Sequence, residues 1–184
     1  LEKHPSWLER FVFVQVAAPT RGDLDEYRRF QERVQRLAER INQRFGAEGC
    51  QPVHLLAQHH DHEAVTELFR AADFCLVNSL HDGMNLVAKE FVAARDDDDG
   101  VLILSSFAGA SRELVEALLV NPFDVTETAR TILQALDMGR EERRKRMQLM
   151  RRTVADNNVY RWAGRMLMDV ARIRQRQSLG RLTT

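Results

Sequence analysis

The sequence predicts an α/β fold, a parallel sheet flanked by helices and ending in a helical C-terminus. Three observations carry this. Short apolar runs of strand length recur at residues 11–17, 53–57, 74–78 and 101–105, with a shorter one at 118–121. Between them the apolar residues fall at the three- and four-residue steps of amphipathic helices. The links are short, so successive strands run parallel, with a helix crossing over between them and both faces of the sheet covered.

The elements follow in order. Phe11-Val12-Phe13-Val14-Gln15-Val16-Ala17 is β-branched and aromatic, long enough for a strand and too short for a buried helix. Pro19 and Gly22 break it, and Asp23 is placed to cap the next helix. Leu24, Tyr27, Phe30, Val34, Leu37, Ile41 and Phe45 form one long apolar stripe, ended by Gly46. Val53-His54-Leu55-Leu56-Ala57 is the second strand. Asp61 can then cap a short helix turning Val65, Leu68, Phe69 and Ala72 inward. Phe74 to Asn78 is the third strand, followed by a helix carrying Leu86, Val87, Phe91 and Val92. Two further strands run from Val101 to Ser105 and from Leu118 to Asn121. From about Thr126 the chain reads as helical, residues 140–174 forming the C-terminal helices. Ala129, Ile132, Leu133 and Leu136 make one inward face, which Gly139 ends. Arg143, Met147, Met150 and Val154 belong to a second helix, and Trp162, Met166, Val170 and Ile173 to a third. The tail after Arg174 is polar and expected to fray.

Composition narrows the classes. A chain of 184 residues suffices for one domain with a sizeable core and is short for a two-domain enzyme. Residues 1–184 are therefore read as a single domain. Lys plus Arg equals Asp plus Glu at 27 each, so no net field favours nucleic acid or an acidic membrane. Cys50 and Cys75 are too few for a disulfide framework, which favours a reducing, cytoplasmic setting. No apolar run approaches a membrane span. The opening Leu1-Glu2-Lys3-His4-Pro5 is not a signal peptide, and without an initiating Met it reads as the start of a fragment.

The chemistry concentrates in Asn78-Ser79-Leu80-His81-Asp82-Gly83-Met84-Asn85-Leu86-Val87-Ala88-Lys89-Glu90. A strand, a tight turn with glycine and a helix start are where α/β sheets bind phosphorylated ligands. The first helical N–H groups lack partners, and the helix dipole adds partial positive charge. Amides of Asn85, Leu86 and Val87 would then face a diphosphate, and Gly83 would let the backbone approach closely. Asp82 is placed to accept hydrogen bonds from sugar hydroxyls. Glu90, eight residues on, could take both hydroxyls of a ribose. An isolated Asp-Gly is a common turn former, and by itself it would carry none of this.

The stretch from Asp82 to Glu90 resembles the donor-site motif of trehalose-6-phosphate synthases, retaining glucosyltransferases with two facing Rossmann-like domains. Four further blocks agree in order and spacing: Gln15 to Asp23, Arg40 to Gly46, Leu104 to Ala110, and Leu118 to Asp124. The resemblance covers roughly residues 11–170. It implies the Rossmann-like C-terminal domain of a GT-B glycosyltransferase, with UDP-glucose as donor substrate, no metal and no other cofactor. It further implies Asp82, Gly83, Met84 and Asn85 on the glucose, Leu86 and Val87 on the diphosphate, and Glu90 on the ribose. His59 and His60 would lie beside the nucleobase, although the family often has an aromatic residue at the position of His60. Glucose 6-phosphate, the acceptor, would bind through a missing N-terminal domain. A strand and glycine-rich turn carrying a phosphate-clamping Arg and Lys also belong upstream in the family. If that strand is central, its absence exposes unpaired strand edges. A glucosylglycerol-phosphate synthase shares this donor half. A homo-oligomer is left open, as is a non-catalytic module that binds nucleotide sugar. An NAD-binding Rossmann domain is disfavoured, because Ala17 to Gly22 lacks Gly-x-Gly-x-x-Gly.

The remaining motifs read more plainly. His59-His60-Asp61-His62 has too few converging ligands for zinc. Asp96-Asp97-Asp98-Asp99 lacks the pattern of a calcium loop and is expected to be a solvated acidic hairpin. The basic stretch from Arg140 to Arg146 fits a charged helix face with i,i+4 pairs. Trp162, Met147, Met150, Met166 and Met168 are read as core or interdomain packing. Arg21 either faces the donor site or is a surface residue.

Overall fold

The computed structural model describes residues 1–18 and 25–182. The chain divides into two compact units, Leu1–His62 and Glu63–Thr184. The expected break at Pro19 and Gly22, the cap at Asp23, and the places of Arg21 and Leu24 lie outside the described residues. No helix among the described residues is long and apolar enough to cross a membrane.

In the first unit, β1 (Phe13–Val16) pairs in parallel with β2 (Val53–Leu56), Phe13 against Val53 and Val16 against Leu56. The crossover is α1 (Asp25–Phe45). Asn42 of α1 fastens it to the sheet, its Nδ2 donating to Val53 O (2.8 Å) and its Oδ1 accepting from Val53 N (2.9 Å). Gly46 ends the helix because a Cβ there would press on the backbone carbonyls of Asn42 and Cys50. Ala38 is the buried residue of α1, while Tyr27, Phe30 and Leu37 of the predicted stripe stay exposed. Two four-residue strands offer too little surface to cover a 21-residue helix. Val14 and Val16 of β1 are exposed for the same reason.

The second unit is layered. It opens with α2 (His62–Ala71), which starts one residue after the predicted cap at Asp61. β3 (Phe74–Val77), β4 (Val101–Ser105) and β5 (Leu118–Val120) form a parallel sheet in that order. α3 (Leu86–Ala94) links β3 to β4. α4 (Val125–Asp137), α5 (Arg140–Asp156) and α6 (Val159–Leu182) follow. All five residues of β4 are buried, and its alternation divides the core. Leu102 and Leu104 pack with Phe91 and Val92 of α3 and with Met147 and Met150 of α5. Val101 and Ile103 pack with Leu118, Val120, Ala135 and Met138. Among the described residues β3 pairs only with β4, and Phe74, Cys75 and Leu76 are half-buried. Burial pushes the Cys75 thiol up to about 12, so it is not a nucleophile at neutral pH.

Four expectations change. The buried residues of α4 are Thr128, Thr131 and Ala135; of the predicted face Ile132 packs beside them on the core, while Ala129 is exposed. Both hydroxyls bond back within the helix, Thr128 to Asp124 O and Thr131 to Glu127 O, which leaves their methyls to pack. Gly139 is the N-cap of α5, and α4 is capped by Met138. The tail expected to fray is helical as far as Leu182. Met147 and Met150 are core, whereas Trp162, Met166, Met168, Val170 and Ile173 are exposed along α6, so of core or interdomain packing only the first is excluded for Trp162, Met166 and Met168.

The acidic run is a fifth correction. Asp96 pairs with Arg70, Asp97 with Arg95, Asp98 with Arg151, and Asp99 with Arg143. Asp96 and Asp97 stay exposed, as a solvated run would, but arginines of α2, of α5 and of the end of α3 tie the run down. Hydrogen bonds from Arg151 and Gln148 hold the Asp98 carboxyl below the usual carboxylate range, helped by the charges of Arg151 and Arg144. A depressed folded value stabilises the fold above the unfolded-state value and is lost as pH falls through the folded one. Asp98→Asn is therefore expected to lower the urea midpoint at pH 7, with the gap to the unsubstituted protein closing as the medium is acidified. Urea titrations at neutral and acid pH check this.

Candidate functional site

β3 delivers the chain to the carboxyl edge of its sheet, where residues 78–85 turn into α3. Asp82 shapes the turn. Its Oδ1 accepts from Met84 N (3.0 Å) and its Oδ2 from Asn85 Nδ2 (3.0 Å). Asn85 is the N-cap of α3, its Oδ1 accepting from Ala88 N (2.9 Å). That bond satisfies the third helical amide. Among the described residues the N–H groups of Leu86 and Val87, the first two of α3, meet no acceptor. The side chains of Met84, Leu86 and Val87 are exposed around them, so the predicted inward face of α3 shifts to Ala88, Phe91 and Val92. Glu90, one turn further, is exposed and makes no hydrogen bond or ion pair among the described residues. The turn thus presents two open amides with a pinned carboxylate before them and a free one after. The helix dipole adds positive character at the amides.

The loop after β4, part of the matching block Leu104 to Ala110, braces this turn. Asp82 N donates to Phe107 O (3.3 Å), Gly109 N to Asp82 O (2.9 Å), and Ala110 N to Met84 O (2.7 Å). Lys89 of α3 reaches Glu113 beyond the loop at 2.9 Å. The loop can approach because residue 109 is glycine. A Cβ there would lie 2.8 Å from the Gly83 carbonyl carbon and 3.3 Å from Met84 Cα. Gly83 behaves differently, since a Cβ built on it meets nothing within 4 Å. Its backbone is not left-handed either. The protein's own packing requires glycine at 109 and not at 83. The only sequence signal for the brace was the run of small residues Ala108-Gly109-Ala110.

Asp82, Gly83, Met84, Asn85, Leu86, Val87 and Glu90 are therefore gathered on one strand–turn–helix unit. His59 and His60 belong to the other compact unit, on the loop after β2. His59 is exposed. His60 is half-buried, and its Nε2 is buried without a hydrogen-bond partner among the described residues. Among the described residues no three His, Cys, Asp or Glu side chains converge as a metal site.

Comparison with known proteins places this geometry. The model of glycosyltransferase family 20 matches residues 1–172. A trehalose-6-phosphate synthase of Klebsiella pneumoniae is 42% identical over 183 residues, covering 99% of this chain and 39% of the relative. A probable UDP-forming alpha,alpha-trehalose-phosphate synthase of Arabidopsis thaliana is 45% identical over 163 residues, 88% of this chain and 20% of the relative. Among solved structures, the Burkholderia multivorans alpha,alpha-trehalose 6-phosphate synthase superposes with a TM-score of 0.90 at 37% identity, over 98% of this chain and 39% of that one. The Escherichia coli protein bound with UDP-2-fluoro glucose gives 0.88 at 40% identity, over 92% and 38%. The chain thus spans about two fifths of the length of several of these relatives.

Proposed function

Because the chain belongs to glycosyltransferase family 20, we propose that it is the donor-binding portion of a UDP-forming trehalose-phosphate synthase, both compact units belonging to one nucleotide-sugar domain. The reaction moves glucose from UDP-glucose to glucose 6-phosphate with retention at the anomeric carbon, the acceptor being held by parts of the enzyme outside this chain. The setting is the cytoplasm, in keeping with two free cysteines.

The observation that carries this reading is the pair of open amides at Leu86 and Val87, flanked by Asp82 and Glu90. Charge builds on the diphosphate as the glycosidic bond breaks. Amides fixed by the Asn85 cap meet that charge without reorganising, which is how such a site lowers a barrier. Asp82 takes the sugar hydroxyls and Glu90 the ribose hydroxyls. Gly83 keeps clear the space that a Cβ would occupy. His59 and His60 are assigned to the uracil, the unpartnered Nε2 of His60 being in keeping with a ligand contact.

Calorimetric titration with UDP, with and without Glu90→Ala, tests the reading. Hydrogen bonds to a charged group contribute about 1.5–3 kcal/mol, so the substitution should weaken UDP by roughly tenfold or more. A folded protein that ignores UDP, or that binds it equally well without Glu90, would refute the assignment.

A further inference from the structure

Asn85 holds an unusual position. Its backbone lies at φ 76° and ψ 90°, and its side chain is buried, with 7% of the residue exposed. Nδ2 donates both to Ser79 Oγ (3.1 Å) and to Asp82 Oδ2 (3.0 Å), and Oδ1 accepts from Ala88 N (2.9 Å). A carboxylate only accepts and a backbone N–H only donates, so these neighbours fix which end of the amide is nitrogen. Both amide hydrogens are then committed inside the protein. Asp82 is committed in turn, one oxygen to Asn85 and the other to Met84 N.

We propose that Ser79 and Asn85 are positioning residues. The chain of hydrogen bonds from Ser79 through Asn85 to Asp82 sets the angle at which the Asp82 carboxylate meets the sugar. The Asn85 side chain serves the donor through Asp82 and does not touch it. This narrows the role that family resemblance gives Asn85, and it rests on the reading of Asp82 as the sugar-end acceptor. Ser79 is the controlling member. Removing its oxygen leaves one Nδ2 hydrogen without its acceptor, and the amide answers by shifting Nδ2 away from Asp82. The open amides of Leu86 and Val87 make none of these bonds, and Oδ1 keeps its cap on Ala88 N, so the diphosphate end changes less than the sugar end.

The test compares Ser79→Ala and Ser79→Thr with the unsubstituted protein, titrating each with UDP and with UDP-glucose and recording its thermal melt. Ser79→Ala should weaken UDP-glucose about fivefold or more while UDP changes less than about twofold. Ser79→Thr, which keeps the oxygen, should restore UDP-glucose. Unchanged UDP-glucose binding in Ser79→Ala overturns the inference. So does an equal loss of both ligands with a lowered melt, because that is a general structural role. Failure of the unsubstituted protein to bind either ligand is a different result. It refutes the donor-site reading itself and removes the inference with it.

Discussion

Gly109→Ala is expected to unfold the donor turn in effect, lowering the urea midpoint and abolishing UDP binding together. The added Cβ would sit 2.8 Å from the Gly83 carbonyl carbon and closer still to its oxygen. These are backbone atoms, so no side chain can rotate out of the way, and one of the two loops must move. Movement breaks the bonds from Gly109 N to Asp82 O and from Ala110 N to Met84 O, 2.9 and 2.7 Å long. Overpacking of this kind costs about 1–3 kcal/mol, and each buried polar group left unmade adds about 1–3 kcal/mol. A total near 3 kcal/mol, roughly a third of a typical domain's stability, is expected from denaturant titration. Gly83→Ala is the contrast. It meets open space, so the midpoint should hold while UDP-glucose binding falls, because there the ligand and not the protein needs the room. A Gly109→Ala protein with an unchanged midpoint would show that the loop does not brace the turn.

Arg95→Ala is expected to cost a similar amount with no ligand involved. Arg95 is 5% exposed, and its Nη1 donates to the carbonyls of Phe69, Arg70 and Ala72, around the end of α2. Its Nε and Nη2 form a two-pronged pair with Asp97, at 3.0 and 2.9 Å. One guanidinium thus closes the end of α2, the end of α3 and the acidic run. Truncation orphans several carbonyls and leaves a cavity beside Phe91 and Gly100, which line the Arg95 side chain. A loss of about 3 kcal/mol follows from these terms. Arg95→Lys should recover little of it, since an ammonium cannot fork toward both sets of acceptors. Urea midpoints of the two variants decide this, and a lysine variant as stable as the unsubstituted protein would overturn it.

Much of the fold was legible because its signals are local. β4 was read as Val101 to Ser105 and is found there, since a five-residue apolar run between polar links has few other uses. α3 follows the Asp82-Gly83 turn as expected, and the structure sets its first residue at Leu86 with Asn85 as the cap. Hydrophobicity misled on α4, where Thr128 and Thr131 are buried because their hydroxyls are satisfied by the preceding turn. On α6, Trp162, Met166 and Met168 are exposed, which takes them out of this chain's core and leaves the interdomain half of their expectation open. An apolar stripe says that a surface can be covered, not that this chain covers it. The acidic run was misread for a related reason, because its partners Gln148 and Arg151 lie 50 and 53 residues away from Asp98.

The sequence by itself determined the alternation of strands and helices and the place of the Asp82 to Glu90 turn between a strand and a helix. Periodicity and turn chemistry act over a few neighbouring residues, so they can be read along the chain. The tertiary structure alone decided that the packing of the donor turn requires glycine at 109 and not at 83, that four aspartates are held by four arginines, and that the Asn85 side chain is committed to Asp82 and Ser79. Steric exclusion and charge pairing depend on which distant atoms come within a few ångströms, and that distance exists only once the chain has folded.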